Sequence, residues 1–141
     1  MLRRRRLNAQ NRCDRGQALV ELALIAPILI ILMLGVIDYG RVYFAYISVT
    51  NGARIGADYA AIGPTQAADT AAIKAAALGD TGDLLAQSST NPDVTVTTAN
   101  DSQGRLYADV TMTYTFSTLF PWPGLPTSIN VERTVRSRVA Q

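Results

Sequence analysis

The sequence has no histidine and only one cysteine, Cys13. A single cysteine excludes an intramolecular disulfide, and the lack of histidine removes the usual ligand of catalytic metals and the usual base of a nucleophile. The scattered Asp, Ser, Thr and Tyr side chains form no catalytic constellation, and there is no glycine-rich phosphate loop or paired-carboxylate motif. Asp80 and Asp83 lie in a Thr-Gly turn that is typical of a solvated loop. We therefore expect no enzyme, no cofactor and no metal site.

Positive charge is scarce after the first 16 residues. Residues 1–16 hold six of the 13 basic residues and one of the 11 acidic residues. The rest of the chain has seven basic and ten acidic residues, a net charge of about −3, so we expect no nucleic-acid partner. The run Arg3–Arg6 precedes a long apolar segment. Such runs are typical of a topology signal that keeps the N-terminus in the cytoplasm, rather than of a nucleic-acid arm.

The apolar segment is ALVELALIAPILIILMLGVI, residues 18–37. As a helix it would rise about 30 Å, the thickness of the hydrocarbon core of a bilayer. Pro27 removes one helix hydrogen bond, which membrane helices tolerate when a neighbour or water satisfies the freed carbonyl. The segment is longer than the apolar region of an ordinary secretory signal. We expect a single-pass cytoplasmic membrane protein, with everything after Asp38 outside the cytoplasm.

Glu21 is the only charged residue in this segment. A carboxylate at the centre of a membrane helix costs about 2.5 to 3.5 kcal/mol, and somewhat less near an end. Glu21 could be stabilised by the helix dipole, by the headgroups or by Arg15. Alternatively, cleavage between Gly16 and Gln17 would create an α-amino group, with Glu21 as the fifth residue of the new chain. That spacing resembles the type IV prepilins, and it favours processing after Gly16 over an uncleaved anchor.

A longer motif carries a family resemblance. Its parts are the Gly-Gln-Ala-Leu-Val-Glu start at residues 16–21, Pro27, Gly35, the exit motif at residues 38–41 and the Asn-x-Ala-Arg-x-Gly-Ala stretch at residues 51–57. Residues 15–61 therefore resemble the TadE-like family of tight-adherence pilus systems. The resemblance implies a pseudopilin that is processed by a dedicated aspartic prepilin peptidase and assists or joins a pilus built mainly from a shorter major pilin. The implied partners are that peptidase, other pilin-like subunits, the pilus assembly platform and the membrane.

The helix is expected to continue beyond the membrane, because residues 40–61 contain no proline. Small residues recur there at helical spacing, and together with the earlier helix they give the candidate packing positions Pro27, Gly35, Gly40, Ser48, Gly52, Gly56 and Ala60. Such a row lets another element approach closely. The pattern leaves two interpretations open: the row covers the chain's own sheet, or it contacts another subunit.

The remaining residues predict a small α+β domain. Gly63 and Pro64 end the first helix, and Thr65 is expected to cap a second helix that runs to Leu78. Alternating apolar residues then predict a hairpin and a third strand, with these side chains inward: Val94, Val96, Leu106, Ala108, Val110, Met112, Tyr114, Phe116, Ile129, Val131 and Val135. The other side of the hairpin's second strand would be polar. Trp122 lies among prolines and is either a lid on the end of the sheet or a partner contact, of which the lid is favoured.

The predicted fold class is thus α+β: a long N-terminal transmembrane helix extends into a small head with a second helix and a three-stranded antiparallel sheet. The predicted divisions are a basic cytoplasmic leader at residues 1–16, the transmembrane and extended helix at 17–62 and an extracytoplasmic head at 63–141. Two functions remain. One is a processed pilin-like subunit; the other is an unprocessed single-pass membrane protein whose outer domain binds or regulates a partner.

Overall fold

The computed structural model describes residues 3–79, 81, 92–121, 124 and 126–140, with side chains described from Gly16 onward. The elements are α1 Arg3–Ala61, α2 Pro64–Ala68, α3 Thr70–Gly79, β1 Asp93–Asn100, β2 Leu106–Ser117 and β3 Ser128–Arg138. This order of a long apolar helix, short helices and an antiparallel sheet confirms the predicted α+β class.

Helix α1 is 59 residues long and begins at Arg3, within the segment predicted as a leader. No proline interrupts residues 3–16, and arginine, leucine, alanine and glutamine all favour helix. Pro27 lies inside the helix. The chain divides into two compact units, Met1–Tyr39 and Gly40–Gln141. The second unit, called the head below, therefore includes residues 40–61 of α1, which the sequence analysis grouped with the span.

Two short helices replace the single second helix that the sequence predicted. Pro64 occupies the first turn of α2, where its missing N–H has no acceptor to lose, and Gly63 at the N-cap makes no side-chain hydrogen bond. The helical conformation is then interrupted at Asp69, between α2 and α3. The Oδ1 of Asp69 accepts a hydrogen bond of 2.9 Å from the backbone N–H of Ala72. The prediction that Thr65 caps this helix is wrong: Asp69 supplies the capping interaction, and it does so for α3.

The sheet has the order β1-β2-β3, with both neighbouring pairs antiparallel. Val110 in the centre of β2 pairs with Val96 on one side and Val135 on the other. The predicted hairpin is confirmed, and its turn is fixed by Asp101, whose Oδ1 accepts hydrogen bonds from the N–H groups of Gln103 and Arg105 at 2.8 and 2.9 Å. Gly104 has a φ of 75°, the left-handed region that favours glycine.

The core of the head lies between α1, α3 and the inner face of the sheet. Burial alternates along β2 as the sequence predicted, and its buried residues are Ala108, Val110, Met112, Tyr114 and Phe116. Helix α3 contributes Ile73 and Ala77, both with no exposed surface. Helix α1 contributes a row of small side chains and one larger residue: Ala45, Val49, Ala53, Ala57 and Ala60.

Candidate functional site

The predicted processing residues lie on the exposed surface of α1. Gly16, Gln17 and Glu21 are all exposed, and a Cβ added at Gly16 would meet no other atom within 4 Å. Gln17 and Glu21 are four residues apart in one helix, so they project from the same helix face. The structure thus brings the two positions together on neighbouring turns and leaves the Gly16–Gln17 bond within the helix.

The apolar part of α1 leaves its side chains uncovered. The stretch from Gly16 to Ala61 is long and apolar enough to cross a membrane, and its most apolar window has no buried residue. Large apolar side chains such as Leu24 and Val36 are at least 70% exposed. In a soluble protein such a surface would be buried, so the helix indicates a single-pass membrane protein. Pro27 is exposed here and Gly35 is half-buried.

The row of small residues beyond the span packs inside the head. Ser48, Gly52, Gly56 and Ala60 are buried, whereas Gly40 is exposed with open space around it. A Cβ at Gly56 would lie 3.1 Å from both the Cβ of Ala77 and the Cγ1 of Val110. Of the two interpretations left open, the structure has the row covering the chain's own core.

Two arginine–aromatic pairs join α1 to the sheet. The Cζ of Arg41 lies 5.0 Å from the ring centroid of Phe116. The guanidinium of Arg133 lies 4.9 Å from the ring centroid of Tyr46 and also donates a hydrogen bond to its hydroxyl. Neither pair was predicted from the sequence. One signal was present: Arg133 interrupts the apolar alternation of β3 on the side that faces α1.

The outer face of the sheet is polar, as predicted for β2. Asp109 accepts two hydrogen bonds of 2.7 Å from Arg136 on the neighbouring strand, and the Arg136 guanidinium lies 4.2 Å from the ring centroid of Tyr107. These hydrogen bonds hold the pKa of the Asp109 carboxyl below its ordinary value of 3.8, and partial burial opposes the shift. A hydrogen bond of 2.8 Å joins the hydroxyls of Thr111 and Thr134 in the next row.

A cavity of about 400 Å³ opens at the start of β2, lined by Asp101, Tyr107, Arg136 and Arg138. Two of its charges are already matched, because Arg136 pairs with Asp109 and Asp101 pairs with Arg105 at 2.9 Å. The described residues contain no group of three or more His, Cys, Asp or Glu that could hold a metal ion. Trp122, the predicted lid or partner contact, lies outside the described residues.

Similarity to known proteins was found only in α1, the helix that carries the predicted processing residues. No curated protein and no solved structure matches the chain. The match to a family begins at Gly16, the residue before the predicted cleavage site, and ends at Asp58, near the end of α1. Over residues 16–58 the chain matches the family model of the TadE-like proteins, which confirms the predicted resemblance for that part of the chain.

Proposed function

We propose that this chain is a pseudopilin, processed between Gly16 and Gln17 by a prepilin peptidase and incorporated into, or used to assemble, a tight-adherence pilus. One observation carries the proposal. Glu21 is the only charged residue between Gly16 and Ile37, it is exposed on α1, and it lies five residues after the point where the family match begins. A charge that nothing covers within an apolar helix needs a partner, and processing supplies one of opposite sign.

The partner is the new N-terminus. Cleavage leaves an α-ammonium group on Gln17, and in a bundle of such helices the Glu21 carboxylate of one subunit can neutralise that group on its neighbour. In an apolar surrounding, leaving either charge unpaired is strongly unfavourable, whereas the hydrogen-bonded pair is tolerated. The pair therefore favours one axial offset between adjacent helices, so the same residue recruits a subunit and sets its register.

The peptidase would have to open α1 locally, since the Gly16–Gln17 bond lies within the helix. Peptidases bind their substrates as extended backbone. Glycine inside a helix lowers the stability of the helix by about 0.5–1 kcal/mol relative to alanine. The space around Gly16 is also open, because an added Cβ would meet no atom within 4 Å. Both properties make the first turns before the apolar segment easier to unwind and easier to approach.

The proposed topology follows from the charges at the N-terminal end of the span. The six arginines before Gly16 favour the cytoplasm. The head then lies outside the cytoplasm, where pilus subunits assemble, and the leader stays on the cytoplasmic side after cleavage.

A second function is favoured by the continuity of α1 from Arg3 to Ala61. An uninterrupted helix through Gly16 is also what an unprocessed anchor would have. In that case the chain is a single-pass membrane protein with an outer domain that binds or regulates a partner, and Glu21 has no role in assembly.

The test is the incorporation of Glu21 variants into pili. Glu21→Gln and Glu21→Ala remove the charge, and Glu132→Gln is the matched control because Glu132 is an exposed acid on the head. Cell-associated and sheared pilus fractions are compared by immunoblot. We expect all three proteins at normal levels in the membrane, with only the two Glu21 variants missing from the pilus or unable to support its assembly. Normal assembly by a stable Glu21→Ala protein contradicts the proposed mechanism.

A further inference from the structure

Exposed large apolar side chains of the head gather at one end of it, with the exception of Ile62, which follows the last residue of α1. Among the described residues of the head they are Tyr43, Phe44, Tyr46, Ile47, Ile62, Leu119, Phe120 and Ile129. Four of these lie in the first turns of the head's part of α1. Three others, Leu119, Phe120 and Ile129, are 56%, 42% and 39% exposed and lie where β2 ends and β3 begins.

Contacts within the head place those three residues beside the start of its helix. Phe116, which pairs with Ile129 across the sheet, lies against Arg41. Where β2 ends and β3 begins, the N–H of Thr118 donates a hydrogen bond of 3.0 Å to the carbonyl of Thr127. Residues 118–121 are called the β2–β3 loop below. Leu119 and Phe120 directly follow Thr118, so the sheet presents them at the Arg41 end.

The opposite end of the sheet lies beside the end of α1. The Ser137 hydroxyl donates to the carbonyl of Ala57 at 2.7 Å, and the N–H of Ala140 donates to the carbonyl of Ala61 at 2.9 Å. Twenty helical residues separate Arg41 from Ala61, which is a rise of about 30 Å. The β1–β2 turn is therefore far from the β2–β3 loop, and Leu119 and Phe120 are confined to one end of the head.

Arg41, at that end of the head, is close along the chain to the apolar segment. Arg41 follows Ile37, the last residue of the apolar segment, by four helical residues, a rise of about 6 Å. The headgroup region of a bilayer is about 5–7 Å thick on each side of its hydrocarbon core. Chain connectivity therefore keeps Arg41 close to the headgroups of a bilayer that residues 18–37 cross, and within the head the end of β2 lies against Arg41.

We propose that the β2–β3 loop is a second membrane contact, in which Leu119 and Phe120 enter the boundary between headgroups and acyl chains of the bilayer that α1 crosses. Arg41 lies at the same end, and a guanidinium group suits lipid phosphates. The inference rests on the membrane-spanning part of the proposed function and adds a lipid contact made by Leu119 and Phe120.

The test measures the depth of single labelled cysteines in the full-length chain. Cys13→Ser removes the only native cysteine, after which Leu119→Cys or Phe120→Cys carries an environment-sensitive fluorophore. Ser102→Cys is the matched control, because Ser102 is also exposed but lies in the β1–β2 turn at the far end of the head. The protein is reconstituted in phosphatidylcholine–phosphatidylglycerol vesicles, with and without lipids brominated on the upper acyl chain.

We expect brominated lipid to quench the labels at positions 119 and 120 and to leave the label at position 102 unquenched. The quenching should persist when the protein is diluted with excess lipid, because a bilayer contact does not depend on a second copy. The proposal is overturned if the labels at 119 and 120 are quenched no more strongly than the label at 102. It is also overturned if their protection from water disappears on dilution, which would assign Leu119 and Phe120 to a contact with a neighbouring subunit.

A further label separates this inference from its premise. Leu29→Cys lies in the middle of the apolar segment and should be quenched whenever α1 spans the bilayer. Quenching at 29 without quenching at 119 and 120 rejects the loop contact alone. No quenching at 29 rejects the membrane span, and with it both proposals.

Discussion

A Cβ added at Gly52 would lie 2.7 Å from the Sδ of Met112, so α1 crosses β2 at a separation that excludes any larger side chain. The same Cβ would lie 2.8 Å from the backbone carbonyl oxygen of Ala77 on α3. A methionine side chain can move, but the carbonyl oxygen belongs to a packed helix. The small residues of α1 therefore allow α1, α3 and the sheet to pack closely together in the core of the head.

Gly52→Ala should destabilise the head. Overpacking costs about 1–3 kcal/mol, and the better helix propensity of alanine returns up to about 1 kcal/mol, so we expect a net loss. Gly40→Ala is the control, since Gly40 is also helical but has no atom within 4 Å of an added Cβ. Thermal unfolding of the full chain in detergent micelles, followed by circular dichroism, should show a lower Tm for Gly52→Ala only. Equal Tm values for the two variants would contradict the close approach.

Asp69→Ala should also lower the stability of the head. Its carboxylate caps α3 through the N–H of Ala72, and loss of such a cap costs about 1 kcal/mol. Helix α3 carries Ile73 and Ala77 into the core, so fraying of its first turn loosens contacts with α1. Asp69→Asn keeps an oxygen that can accept the same hydrogen bond and should retain most of the stability. Equal losses in the two variants would show that the cap is not the cause.

The Asp109–Arg136 pair predicts a pH dependence of stability. The pKa of Asp109 is lowered in the folded protein, so the pair contributes fully above the unfolded pKa, near the ordinary value of 3.8, and the contribution is lost as the pH falls through the folded pKa. Asp109→Asn should therefore lower Tm at pH 7 and make progressively less difference as the pH falls below 3.8. Because the Arg136 side chain is 64% exposed, the effect should be small and should shrink in high salt. A difference in Tm that is the same at every pH would contradict the ion-pair explanation.

Gly16→Ala should reduce processing without changing membrane insertion. Alanine stabilises the helix at the proposed cleavage site and adds a Cβ where the peptidase must approach. Gly35→Ala changes a glycine of the same helix away from that site and is the control. Immunoblots of membranes should show the unprocessed form accumulating for Gly16→Ala alone. Accumulation in both variants would indicate a general defect in the span.

Much of the fold was predictable because it rests on local patterns. The alternation from Leu106 to Phe116 identified both the strand and its inward face, and the apolar run from Ala18 to Ile37 identified the helix. The break at Asp69 was not predicted, because the alanine-rich sequence around it favours an uninterrupted helix and the competing cap depends on which hydrogen bond the carboxylate makes. The start of α1 at Arg3 differs from the predicted division for a similar reason, since a charge boundary is not a helix boundary.

Part of the candidate site was likewise predictable from local spacing, and part depended on the packing of distant residues. Gly16, Gln17 and Glu21 were recognised by their spacing, and the structure adds that they are exposed on one continuous helix. The pairs Arg41–Phe116 and Arg133–Tyr46 join residues 75 or more positions apart in the chain, so they required the arrangement of α1 against the sheet. The same arrangement decided that Gly52 and Gly56 serve the core of the head.

The central claim is processing between Gly16 and Gln17, and the most direct test is the intact mass and N-terminal sequence of the protein from native membranes, beside a strain that lacks its prepilin peptidase. We predict a chain that starts at Gln17 in the first strain and at Met1 in the second. A start at Met1 in both strains would contradict the claim and leave an unprocessed single-pass protein, in which Glu21 has a role other than assembly.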